Sequence, residues 1–119
     1  MRICLDAGHY GKYNQSPAVK QYYESEAMWE LHLLLKEELE RLGFEVEVTR
    51  ENQKEDLGFT ARGKKAEGCV LFLSLHSNAV GDDVREDIDY VTAYAGVNGA
   101  ADEIARRLTV AVAQTMLTK

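Results

Sequence analysis

The chain has 119 residues, with 20 Asp and Glu against 14 Lys and Arg for a formal charge of -6, and it is 45% hydrophobic. A chain of this length buries roughly two thirds of the surface its unfolded form exposes, which excludes bulk disorder and any need for a disulfide or metal merely to hold a core. Nine Gly against one Pro and 29% charged residues exclude collagen-like and Pro-rich classes, and the acidic balance argues against a partner bound through nucleic-acid phosphates.

Arg2 to Asp6 is a short apolar run closed by Ala7-Gly8-His9, which predicts a buried strand leading into a loop. Tyr10 to Pro17, with Gly11, Asn14, Ser16 and Pro17, has no period and is that loop. From about Glu24 to Leu42, Met28, Leu31, Leu35, Leu39 and Leu42 recur at three- and four-residue steps, predicting a helix that Gly43 stops. Phe44 to Thr49 alternates and predicts a half-buried strand near the sheet margin. A polar linker, Arg50 to Asp56, leads to a second helix from about Leu57 to Ala66, ended by Gly68. The basic cluster Arg62-Gly63-Lys64-Lys65 reads as its solvated face.

Cys69 to Leu75 is almost continuously apolar and predicts a central strand buried on both faces. Asp87 to Tyr94 predicts a further strand, and Ala101, Ile104, Leu108, Val112 and Met116 space a final amphipathic helix from about Asn98. The order β-α-β-α-β-β-α is that of an α/β fold with a mostly parallel sheet flanked by helices. Cys4 and Cys69 lie in apolar runs and read as core residues, without the C-x-x-C spacing of a zinc ribbon. No apolar signal region follows Met1-Arg2, and no stretch of about 18 apolar residues would insert in a membrane, so the chain is expected to be made in the cytoplasm.

Ligands in parallel sheets collect beyond the carboxyl ends of the strands, and His9 and His76 both fall just after such an end. Two imidazoles converging there suit Zn²⁺, and a hydrolytic zinc takes a third protein ligand and leaves one position open. Glu24, where the first loop turns into the long helix, is the natural third ligand, and by spacing alone Glu26 is its rival. A histidine after a strand is more often a hydrogen-bonded loop residue than a ligand. His32, beside Met28 and Leu35 on the long helix, reads as a partly buried flank residue.

Leu5-Asp6-Ala7-Gly8-His9, Glu24 at the head of a helix, Gly43 to Arg50, Arg62, and Leu73-Ser74-Leu75-His76-Ser77-Asn78-Ala79 together resemble the zinc-dependent N-acetylmuramoyl-L-alanine amidases, the peptidoglycan amidases of autolysins and phage endolysins. The resemblance runs in order from Met1 to about Ala79 and more loosely through the last helix. It implies that His9, Glu24 and His76 hold Zn²⁺, choosing Glu24 over Glu26. Asn78 and Arg62 also match family motif positions, but Asn78 reads as a residue that fixes a loop and Arg62 as a helix residue pairing locally, neither needing a catalytic role.

The implied reaction is hydrolysis of the amide between N-acetylmuramic acid and L-alanine in peptidoglycan. In that family the general base is a glutamate on a strand after the last helix, and these 119 residues offer no position onto which it can be carried. Glu26, Asp82 and Asp83 match no family position. Loss of general acid–base help typically costs about 10²–10⁴ in rate. The expectation is therefore an amidase-like domain over 1–119, truncated at its final strand region, with catalytic and substrate-binding residues unassigned. Without that strand the sheet is expected to leave a strand edge or apolar surface uncovered, which a second copy or a complementing C-terminal fragment would cover. The alternative is a non-catalytic, zinc-containing wall-binding or assembly module. Either acts at the bacterial cell wall, and the missing leader suits a phage lysin released by a holin.

Overall fold

The computed structural model describes residues 1–79, 85, 87–96 and 99–118, in two units, Met1–Val84 and Arg85–Lys119. The first unit is built on a parallel sheet. β1 (Arg2–Ala7) pairs with β2 (Glu45–Val48), with Arg2 beside Glu45 and Leu5 beside Val48. On its other side β1 pairs with β3 (Leu71–Leu75), from Ile3 beside Leu71 to Ala7 beside Leu75, so the described order is β2-β1-β3. Helices α1 (Glu24–Arg41) and α2 (Phe59–Lys65) supply the two crossovers that parallel strands require.

The α/β class and the parallel sheet are as the sequence led one to expect, but the central strand differs. β1 holds the middle and is buried from Ile3 to Ala7, with Cys4 and Leu5 wholly inaccessible. β3, expected in the centre, lies at the edge of the described sheet, its Leu71, Leu73 and Leu75 half-buried and Phe72 41% exposed. A continuous apolar run signals burial without saying which neighbours supply it. Cys4 is a core thiol, whereas Cys69 is only half-buried, and both are free.

α1 packs on β1 and β2 through a stripe of Ser25, Met28 and His32, with Leu35 and Leu39 half-buried beyond it. His32 lies in that stripe at 2% exposure, more deeply than a flank residue, while Leu31 and Leu42 face outward. The helix ends in a Schellman arrangement. Gly43 takes φ +91°, its N–H bonds the Glu40 carbonyl, and the Phe44 N–H bonds that of Leu39.

In the second unit α3 (Gly99–Met116) forms close to the expected place, with Arg106–Asp102 and Arg107–Glu103 pairs along one side. None of its described side chains is buried. Residues 87–94, expected as a strand, form none among the described residues. β-branched and aromatic residues favour a pleated surface, but a strand also needs a partner for its backbone groups. Among the described residues no helix is long and apolar enough to cross a membrane.

Candidate metal centre

Because β1 and β3 run parallel in register, their carboxyl ends emerge at one edge, and the Gly8 N–H bonds the Leu75 carbonyl at 2.9 Å. Gly8 is what lets the strand ends close up. A Cβ there would stand 2.5 Å from His76 Cε1 and 2.6 Å from the Leu75 oxygen, closer than real contacts allow. His9, one residue on, takes φ +60°, a left-handed conformation uncommon outside glycine.

The loop from Tyr10 to Tyr23 brings the third group. Among the described residues no side chain caps α1. The Glu24 N–H instead bonds the Asn14 carbonyl at 3.0 Å, while Ser25 Oγ accepts from the Tyr13 N–H and donates to the Gly11 carbonyl, both at 2.8 Å. These bonds satisfy helix-start donors and fasten the loop that follows His9 to the turn that carries Glu24.

Glu24 Oε2 lies 3.1 Å from His9 Nε2, and Oε1 lies 2.9 Å from His76 Nδ1. One ligand atom from each of the three residues lies within 4.8 Å of the others, and among the described residues no further acid, histidine or cysteine joins them. The Glu24 side chain is 7% exposed, His9 24% and His76 49%, so the carboxylate forms the floor and one flank stays open to solvent. Burial acts to raise the Glu24 carboxyl. Hydrogen bonds from the Asn14 amide and the Ser77 N–H, together with the two histidines, outweigh it and hold the group below the ordinary carboxylate value. The Tyr13 ring stacks on His9 with centroids 5.0 Å apart, and His76 meets His9 edge-on at the same separation.

Beneath the centre lies a buried polar hub. Asp6 Oδ1 accepts from Thr49 Oγ1 and Arg62 Nη1, and Oδ2 from Ser74 Oγ, all at 2.6 Å. Arg62 also donates to the carbonyls of Ala7, at 3.0 Å, and His9, at 2.9 Å. It therefore pairs across the fold, where local pairing was expected, and its one short-range bond, to the Leu57 carbonyl at 2.7 Å, falls just before α2. Arg50 is buried against the Trp29 ring and donates to the Ala7 and Gln53 carbonyls.

Of the residues singled out in the sequence, His9, Glu24 and His76 come together. Glu26 stands apart, 3.9 Å from Lys12, and Asn78 is exposed with no side-chain bond among the described residues. Asp82 and Asp83 lie outside the described residues. Sequence reasoning gave no role to Asn14, whose amide Nδ2 lies 2.8 Å from Glu24 Oε2 and 3.0 Å from His9 Nε2. Nor did it give one to Asp6 or Arg50, although both stand inside the quoted motifs.

Two imidazoles and a carboxylate are the donor set of a hydrolytic zinc, which takes three protein ligands at about 2.0–2.2 Å and leaves a fourth position for water or substrate. The set fits a zinc ion. The chain matches the family model Amidase_3, described as N-acetylmuramoyl-L-alanine amidase, over residues 3–119. Comparison with curated proteins and with solved structures gave no match. With almost the whole chain covered by that match, the protein belongs to the N-acetylmuramoyl-L-alanine amidase family.

Proposed function

We propose that His9, Glu24 and His76 hold Zn²⁺ and that the chain acts on peptidoglycan at the cell wall, on the amide between N-acetylmuramic acid and L-alanine. The observation that carries this reading is the convergence of three ligand atoms within 4.8 Å at the carboxyl edge of a parallel sheet, in a member of this family. When bound, zinc polarises a carbonyl oxygen and lowers the pKa of a bound water to about 7.

The chain's own residues do the rest. Glu24 supplies a buried negative charge beside the two histidine nitrogens, which favours a cation there. His9 is fixed by its backbone and by the Tyr13 ring, which limits motion of the ligand nitrogen. His76, on the exposed flank, leaves an open side through which an extended substrate can reach the centre.

A second reading, a wall-binding module that keeps the centre without turnover, is favoured by one observation: among the described residues the centre has one carboxylate, Glu24, and that one is a ligand candidate. Incubation with purified cell wall separates the two. Zinc-dependent release of new amino termini, abolished in His76→Ala, supports the amidase. Sedimentation with the wall and no release supports the module, and neither binding nor release contradicts both.

A further inference from the structure

Asn14 grips Glu24 twice. Its carbonyl accepts the Glu24 N–H at 3.0 Å, and its amide Nδ2 donates to Oε2 at 2.8 Å. An ionised carboxylate only accepts, so the group facing it is the NH₂ end of the amide. That nitrogen has a second hydrogen, and His9 Nε2 lies 3.0 Å away; with the imidazole proton on Nδ1, the tautomer in which Nε2 is free to ligate, Nε2 accepts it. The amide therefore bridges two of the three candidate ligand atoms, using the same lone pairs that a cation would use.

These contacts rest on an unusual backbone. Asn14 sits at φ +54°, a left-handed conformation that asparagine tolerates better than most residues, and the Gln15–Tyr23 bridge closes the loop behind it. The residue itself is exposed, so its amide closes over the centre from the solvent side.

We propose that Asn14 is a positioning residue for the centre: it holds the Glu24 carboxylate through Oε2 throughout, and gives up its second hydrogen bond, to His9 Nε2, when that nitrogen turns to a cation. The inference rests on the metal reading above. Once the Nε2 lone pair is committed to the ion, it cannot also accept from Nδ2, whereas a carboxylate oxygen with several acceptor sites can keep the amide. Removing such a partner from a ligating carboxylate typically weakens metal binding by about 10–100-fold.

Asn14→Gly is the suitable variant, since it deletes the amide yet keeps the carbonyl and accepts positive φ without strain. Zinc affinity of the wild type and of this variant is measured by competition with a chromophoric chelator, alongside thermal unfolding of the metal-free proteins. The expected result is 1:1 binding by the wild type, about 10–100-fold weaker binding by Asn14→Gly, and equal metal-free unfolding temperatures. A second readout needs no variant. In a zinc titration of the ¹⁵N-labelled wild type, one of the two Asn14 side-chain amide protons should move strongly and the other little. If the wild type binds zinc and Asn14→Gly binds it within twofold, or if neither amide proton moves, the inference is overturned while the metal reading stands. If the wild type binds no zinc, both fall.

Discussion

The guanidinium of Arg62 donates from Nη2 to the carbonyl oxygen of His9 at 2.9 Å, across 53 positions of sequence, while its Nη1 holds Asp6 Oδ1 at 2.6 Å. Their side chains are 9% and 5% exposed, so the pair is withdrawn from water and fixes the backbone at a candidate ligand held in a left-handed conformation. A helix residue remote in sequence from His9 thus governs where the His9 ring starts.

Arg62→Ala leaves Asp6 buried without its charge partner and the Ala7 and His9 carbonyls short of a donor. Breaking a buried pair from one side costs about 3–5 kcal/mol, and urea denaturation of the metal-free protein should show a loss of that size. Arg62→Lys should recover only part of it, because an ammonium cannot reproduce the planar fork that spans four oxygens, those of Leu57, Asp6, Ala7 and His9.

Gly8→Ala puts a methyl 2.5 Å from His76 Cε1 and against the Leu75 carbonyl. Backbone cannot yield there as a side-chain tip would, so the strand ends must separate. A loss of about 1–3 kcal/mol in stability is expected, as for other overpacked sites. Calorimetric titration should also show weaker zinc binding than in the wild type, since His76 is the group displaced.

Acid should destabilise the fold in two stages. Burial, reinforced by the Arg50 charge and only partly opposed by the hydrogen bond to the Trp29 carbonyl, pushes the His32 pKa below its ordinary 6.5. The unfolded chain then takes the proton first. The contribution of His32 is complete above about pH 6.5 and is lost as pH falls through the lower folded value. The hydrogen bonds of Ser74, Thr49 and Arg62 together outweigh burial at Asp6, hold its carboxyl below 3.8, and defer its loss to more acid conditions still. Trp29 is the chain's single tryptophan, with its ring 4.3 Å from His32, so its fluorescence reports the first stage. In His32→Phe the dependence of urea stability on pH just below 6.5 should flatten.

The two thiols should separate by reactivity. Burial first, then the neighbouring Cys69, pushes the Cys4 thiol up to about 11, and the residue is 0% exposed, whereas Cys69 is half-buried. Native protein treated with iodoacetamide at pH 8 should gain one adduct at Cys69 by mass spectrometry, and a second only with denaturant.

Periodicity made the long helix, its Gly43 stop and the buried first strand legible, because each depends on residues close in sequence. The convergence of His9 and His76 was legible because parallel strands put their carboxyl ends at one edge, whereas the choice of Glu24 over Glu26 came from the family resemblance. The middle of the sheet was not legible: an apolar run such as Cys69 to Leu75 reads alike at the centre and at the edge. Residues 87–94 misled for the converse reason, since propensity names no partner. Asn14, Asp6 and Arg62 are polar residues whose meaning lies in side-chain bonds spanning 5 to 68 positions, and no local pattern encodes those. His32 shows the same limit, as a polar type in the most buried stripe of its helix.

The central claim is that His9, Glu24 and His76 form one zinc centre. It is tested most directly by elemental analysis of the purified chain after zinc loading and dialysis, compared with His9→Ala, Glu24→Gln and His76→Ala. The account predicts one zinc per wild-type chain and less than a tenth of that in each variant, with all four proteins still folded by circular dichroism. A wild type without stoichiometric zinc, or folded variants that keep it, would contradict the assignment.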